Sequence, residues 1–508
     1  MRLLPLVAVA VAVNLGCGSS GVRRQAPPID AAPGDAGAPV DAGADIGQPD
    51  AWAADAALAI PPHGTQLLPS SGNIWLQGVT SDGLAIYADT LTGEVSAVPI
   101  AGGTPSLITK VPGQFTPTTK VVGSAVAISA GAAVQNTVAL WTVAHGGQLL
   151  STSGSADVAV SSDGEYVLFF DGIGRDDVSL FAARTDGSAR ARLDYIRFPN
   201  PFDPNGCPGF KMGFSGAYAI AAYCQRPASG DLPQKIQVAS WQVPTKAATW
   251  TRALQVPESM EVWAEYAADR DATQVLVRTM NGLQVYPIAG GVPTTVDARG
   301  AFGAFTSDGK NVIYTTEDKQ LRRSPVSSPL PFTLLDRGAE ILQAVSPDEK
   351  AALVSSGSEN AATLLLASTT KAGAPLFEAS GPAHSSDAFF TADSKYAVYS
   401  VSEKNLLGQV VSPHLEAIPA TGAGAPMAVT AGIEPQWVRP AGGARLDLEA
   451  WRDGSFSVWT ADLSKDATAA PLVSDVGEAF PTAANDQIVY RWHLRPGPLA
   501  GLWVTPVP

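Results

Sequence analysis

The sequence is poor in the residues on which most protein chemistry depends. Its 508 residues include 3 cysteines, 5 histidines and 5 methionines, and only 16% of the chain is charged. The histidines, His63, His145, His384, His414 and His493, show neither a His-x-His nor a His-Glu-x-x-His spacing, so no histidine-based metal centre is expected. Basic residues are scarce too, 33 Lys and Arg against 47 Asp and Glu for a net charge of -14. Nucleic-acid binding needs clustered cations to displace counterions, and no such block occurs. No segment of ten or so residues has a convincing helical period, which excludes the barrel and dinucleotide folds that alternate strands with helices. A Gly-x-Ser-x-Gly elbow is absent, the nearest approach being Gly213-Phe214-Ser215-Gly216, so a serine hydrolase is not expected. Nothing points to a cofactor.

What the chain does have is a short phrase that returns about every 40 residues. It reads Thr80-Ser81-Asp82-Gly83, Ser161-Ser162-Asp163-Gly164, Thr306-Ser307-Asp308-Gly309 and Ser346-Pro347-Asp348-Glu349, each before a short apolar run. Around the first phrase, residues 73–79 alternate apolar and polar, 84–88 form a second strand, 95–100 a third and 105–108 a fourth. The third turn, Pro99-Ile100-Ala101-Gly102-Gly103, returns as Pro287-Ile288-Ala289-Gly290-Gly291, with a looser version at Pro419-Ala420-Thr421-Gly422. Its glycine pair suits the positive φ angles of a tight hairpin.

About ten such units fit the chain, and four antiparallel strands per unit is the blade of an all-β propeller. The last unit runs out one strand short, at Gly501-Leu502-Trp503-Val504-Thr505. Residues Thr65–Leu68 are positioned to supply the missing outer strand and so close the fold without an exposed edge. One large ring and two smaller rings in tandem both satisfy the count.

The N-terminal region differs. Arg2, an apolar stretch over residues 3–13 too short to span a bilayer, and Leu15-Gly16-Cys17 make a targeting signal. It resembles a bacterial lipoprotein signal, departing from it in Asn14. The resemblance implies cleavage before Cys17, lipidation of its thiol and attachment to a membrane of the cell envelope. Without lipidation the protein would be secreted. Residues 18–60 are rich in Ala, Pro, Gly and Asp, and cannot bury enough apolar surface to offset the entropy of ordering. The expected organisation is a signal over 1–16, a disordered tether over 17–62 spanning roughly 35 to 40 Å, and a propeller over 63–508. In an oxidising compartment Cys207 and Cys224 read as a disulfide worth about 3 kcal/mol, two buried thiols being the alternative.

The Ser/Thr-x-Asp-Gly turns and strands such as Lys310-Asn311-Val312-Ile313-Tyr314 resemble the repeats of TolB-type propellers of bacterial envelopes, over residues 66–508. The resemblance implies blades, not chemistry, and the tether stands where those proteins carry an α/β domain. No functional residue is carried across.

Candidate site residues come from the segments that lead into the innermost strands. Glu261, Glu340, His384, Glu434 and Glu478 occupy matching slots in different units. Together they would form an acidic rim at the mouth of the central channel, able to hold a cation, a basic peptide or an amine. Ordinary solvated loop acids are the plain alternative. Residues Asp171–Asp177 superficially resemble a calcium loop, but lack its bidentate Glu. Trp75, Trp263, Trp437, Trp451 and Trp459 suit packing between blades, the alternative being a carbohydrate-stacking face, which would need several of them on one exposed surface. The function expected is a non-catalytic envelope lipoprotein that binds or scaffolds a protein or small ligand, the alternative being a channel-mouth glycan or peptide hydrolase or lyase that uses the rim.

Overall fold

The computed structural model describes Pro62 and residues 64–507, except 70–72, 111–117, 133–134, 152–153, 173–176, 198–210, 226–234, 245–248, 257–266, 269–272, 280, 357–362, 380–382, 405–409, 431–433, 453–454 and 493–498. Among these residues the regular structure is entirely β. The first repeat forms Ile74–Val79, Leu84–Asp89, Glu94–Pro99 and Ser106–Lys110, an antiparallel sheet in sequence order. The two central strands are buried on both faces from Ala85 to Ala88 and from Val95 to Val98, which is why they read as apolar runs rather than alternating ones.

Seven more sheets repeat this order, and we number these blades 1 to 8 along residues 74–428. Blades 9 and 10 form one seven-stranded sheet, because the strand Asp466–Pro481 pairs with Ser455–Asp462 through its first part and with Gln487–Trp492 through its last. The end of the chain and its beginning meet in blade 10. Thr65–Pro69 pairs antiparallel with Gly501–Pro506, from Thr65 opposite Val504 to Pro69 opposite Gly501. The closing strand expected over Thr65–Leu68 is therefore present, one residue longer.

One ring is formed, not two. The buried side chains fall into ten clusters among the described residues, and each joins one blade to the next. Ile86 and Val95 of blade 1 pack with Val126 and Ile128 of blade 2, Val138 and Leu140 with Val158 and Phe169, and Leu168 and Leu180 with Tyr223 and Trp241. Further round, Ile220 and Val238 meet Val275 and Tyr286, Val285 and Leu276 meet Val312 and Tyr314, and Ile313 and Leu334 meet Val354 and Leu365. Leu353 with Tyr399, Leu415 with Leu448, and Val473 with Tyr490 continue the series. The tenth cluster returns from Val489 and Leu502 of blade 10 to Ile74 and Leu76 of blade 1. Each interface is a small core of sheet on sheet, so the apolar residues of every blade are divided between two neighbours.

The repeated phrase is the turn between the first and second strands. In it Gly164 N donates to Ser161 O, Gly309 N to Thr306 O and Glu349 N to Ser346 O, while the Asp side chain receives the hydroxyl of the first residue. The Pro99 and Pro287 turns close by Gly102 N to Pro99 O and Gly290 N to Pro287 O. They are not two-residue hairpins as expected, since the strands resume only at Ser106 and Thr294.

Candidate binding rim

The innermost strand is the first of each blade, and its pairing with the second strand sets a common register. Leu76 faces Tyr87, Leu342 faces Val354, Val438 faces Leu448 and Ala479 faces Tyr490. The residue just before this position is Trp75 in blade 1, Ile341 in blade 7, Trp437 in blade 9 and Glu478 in blade 10. His384 pairs with Ser400, next to Tyr399 on its strand, and so falls at the same level in blade 8.

Glu340 and Glu434 do not share that position. Glu340 precedes Ile341 by one residue, and its amide donates to Ser355 O at 2.9 Å. Glu434 pairs higher, with Trp451. A shift of one residue turns a side chain to the opposite face of a regular strand, and Glu478 in addition lies within a bulge, so the two carboxylates do not share a register. β-Bulges at Leu342/Ala344, His384/Phe389, Pro435/Trp437 and Val476/Ala479 break the even spacing from one blade to another. Glu261 lies outside the described residues, as do the environments of the His384 and Glu434 side chains.

The two described carboxylates have protein partners. Lys319 Nζ lies 2.5 Å from Glu340 Oε1, an exposed pair. Glu478 is 5% exposed, and Arg491 donates to both its oxygens, Nε to Oε2 at 2.6 Å and Nη2 to Oε1 at 2.8 Å. Leu76 N adds a longer bond to Oε2, at 3.3 Å, from the neighbouring blade. Such a bidentate pair stays together in a dry site because each partner satisfies the other's desolvated charge. Gly477 is required beside it, for a Cβ there would run into the Arg491 guanidinium.

Sequence reasoning missed this partner, and it missed a recurring joint between blades. Asp297 at the end of blade 5 accepts from Tyr314 OH at 3.0 Å and Arg322 Nη1 at 2.7 Å, both in blade 6. Asp194 of blade 3 does the same with Tyr223 and Arg252 of blade 4, the Arg252 contact being 2.5 Å. Burial, then Asp194, push the Tyr223 hydroxyl well above its ordinary value. A third buried group, in blade 9, sets the fully buried Asp447 against Arg439 at 3.2 Å and Arg445 at 3.6 Å. Burial raises the Asp447 carboxyl and lowers Arg439 to about 10.

Other sequence candidates resolve into structural roles. Asp171 accepts from Ser151 Oγ and pairs with Arg190, each at 2.5 Å, while residues 173–176 of that loop are outside the described set. His145 is an exposed turn residue, and His414 Nε2 lies 3.5 Å from Glu416. Among the described residues no group of three His, Cys, Asp or Glu could hold a metal ion. Cys207 lies outside the described residues, and Cys224 is placed only by its backbone pairing with Ile236. The tryptophans divide. Trp459 is buried between blades 8 and 9 as expected, but Trp75 is 38% exposed on its innermost strand.

No known family model matches the sequence, and no curated protein matches it. Similar solved structures include a eukaryotic initiation factor, at 16% identity and a TM-score of 0.43, over 74% of this chain and 90% of that one. The C-terminal WD40 domain of Sif2 is 11% identical with a TM-score of 0.39, over 71% and 95%. A TolB from Agrobacterium tumefaciens is 13% identical with a TM-score of 0.29, over 51% and 94%. Scores this low carry no functional argument.

Proposed function

We propose that the chain is a cell-envelope lipoprotein, tethered to its membrane through Cys17, whose propeller is a non-catalytic module that binds or scaffolds a protein or small ligand. The observation that supports it is the way polar groups join the blades. Asp297 with Arg322 and Asp194 with Arg252 link one blade to the next, and Glu478, held by Arg491 within blade 10, takes a bond from Leu76 of blade 1. Glu478, held by arginine through both oxygens, is poorly placed to move a proton to or from a substrate, whereas a ring so fastened offers a rigid surface for recognition. The disulfide between Cys207 and Cys224 belongs to the same extracytoplasmic setting.

Fractionation and crosslinking in the native envelope test the reading together. The wild-type chain should incorporate labelled palmitate and sediment with membranes, and Cys17→Ser should do neither. Crosslinked wild-type protein should carry a defined partner or ligand. A chain without label, or one that turns over a glycan or peptide, overturns it.

A further inference from the structure

We infer that Trp75 is the stacking plate of a binding site for a neutral oligosaccharide on the channel-lining strand of blade 1. This deepens the proposed binding role and rests on it. Trp75 stands between buried Ile74 and Leu76, yet is itself 38% exposed, the most exposed tryptophan among those whose side chains are described. The strand alternates, with Ile74, Leu76 and Gly78 buried and Trp75 on the more open face with half-buried Gln77 and Val79, and an indole left in water on that face gains by being covered.

The ring is held ready. Arg491 Cζ lies 5.4 Å from its centroid, and Arg491 is itself only 9% exposed and fixed by the two bonds to Glu478. One blade thus supplies a locked cation beneath an aromatic ring of the next. A ligand meeting this ring finds little freedom left to freeze, which favours binding.

Charge selects the ligand class. The Arg491 charge behind the ring is already answered by both oxygens of Glu478, so the plate carries no net charge and favours an uncharged ligand over a charged one. Beside the plate stand neutral hydrogen-bonding groups. A bulge at Gln77 breaks the pairing of the strand with its neighbour, and the Gln77 carboxamide accepts from Thr119 Oγ1 of blade 2 at 2.8 Å. An aromatic face with an amide two residues further on and, bonded to that amide, a hydroxyl of the next blade fits a pyranose, whose C–H face stacks while its hydroxyls take the polar groups.

Titration calorimetry of the full chain with maltohexaose and with chitohexaose tests the site. At least one should bind, Trp75→Ala should weaken it about tenfold or more, and Trp75→Tyr should keep most of the affinity. Gln77→Ala, which leaves the Arg491 stack intact, should weaken binding severalfold, while Thr119→Val, which breaks the same bond between blades and keeps the carboxamide, should lower the melting temperature by as much and weaken binding less. The inference is overturned if neither sugar binds, or if Trp75→Ala binds as well as wild type. It also falls if the crosslinked partner is a protein whose capture needs Trp75, an outcome that leaves the binding role standing. Cleavage of a bound sugar would do the reverse, keeping the site and removing the non-catalytic reading.

Discussion

At the scale of single residues, the repeated turn is a conformational requirement. Its fourth residue is left-handed throughout, with Gly164 at φ 73°, Glu349 at 59°, Ser394 at 62° and Asn485 at 55°. At Gly164 a Cβ would meet nothing within 4 Å, so Gly164→Ala isolates the backbone cost, about 1 to 2 kcal/mol in urea unfolding at unchanged slope. Ser394 carries a side chain there for a reason, since its Oγ accepts from Asp348 N of the preceding blade at 2.9 Å. Ser394→Ala, which loses the bond but keeps the strain, should cost about 1 kcal/mol. Ser394→Gly loses both and should be near neutral. The turn aspartates bear on pH. Hydrogen bonds from Thr306 and then from the Lys310 backbone lower Asp308 from 3.8, and those from Ser464 and Lys465 bring Asp462 to about 2. A carboxyl lowered by folding contributes stability above its unfolded value, and that contribution is lost as the pH falls through the folded one. Unfolding midpoints should therefore drop below pH 4, and Asp308→Asn should lessen the drop while keeping the turn.

At the scale of strands and turns, what the sequence made legible was whatever is local. The Asp and Gly of each turn act on their own backbone within a few residues, so Thr306 to Gly309 announce the hairpin without knowledge of the rest. The missing outer strand was legible by counting. The rim was not, because its alignment depends on bulges: with one at Leu342/Ala344 and another at Val476/Ala479, equal spacing in sequence no longer means equal direction in space. Nor did any local signal pair Glu478 with Arg491, which stands on the next strand and completes its role only against Leu76 and Trp75 of another blade. Breaking that joint gives a sharp test. Glu478→Ala leaves a buried guanidinium unpaired and should cost about 3 to 5 kcal/mol, while Glu478→Leu combined with Arg491→Met should recover most of it. Thermal melts of the two variants separate a lost charge partner from a lost contact.

At the scale of the whole molecule, the ring has as many interfaces as blades, so opening it anywhere exposes two apolar surfaces. The place where it is closed without a covalent connection through the chain is the pairing of Thr65–Pro69 with Gly501–Pro506. Leu67 is buried there with Leu502 and Val504. A chain lacking residues 65–69 should lose about 3 kcal/mol or more, from backbone bonds and the buried leucine together. Limited proteolysis should then cut first in blades 10 and 1, and a peptide of residues 62–72 added in trans should slow the cutting.

That closure sets an order of events in time. Gln66 reaches the carbonyl of Ala500, 434 residues along the chain. The strand that emerges first from synthesis or export must therefore wait, unpaired, for a partner that is among the last to arrive. Until then its backbone groups are open to any other strand. The finished ring is thus a check on completeness: a chain interrupted before residue 501 keeps a loose strand and a bare edge, and so carries on its surface the mark by which a protease can find it.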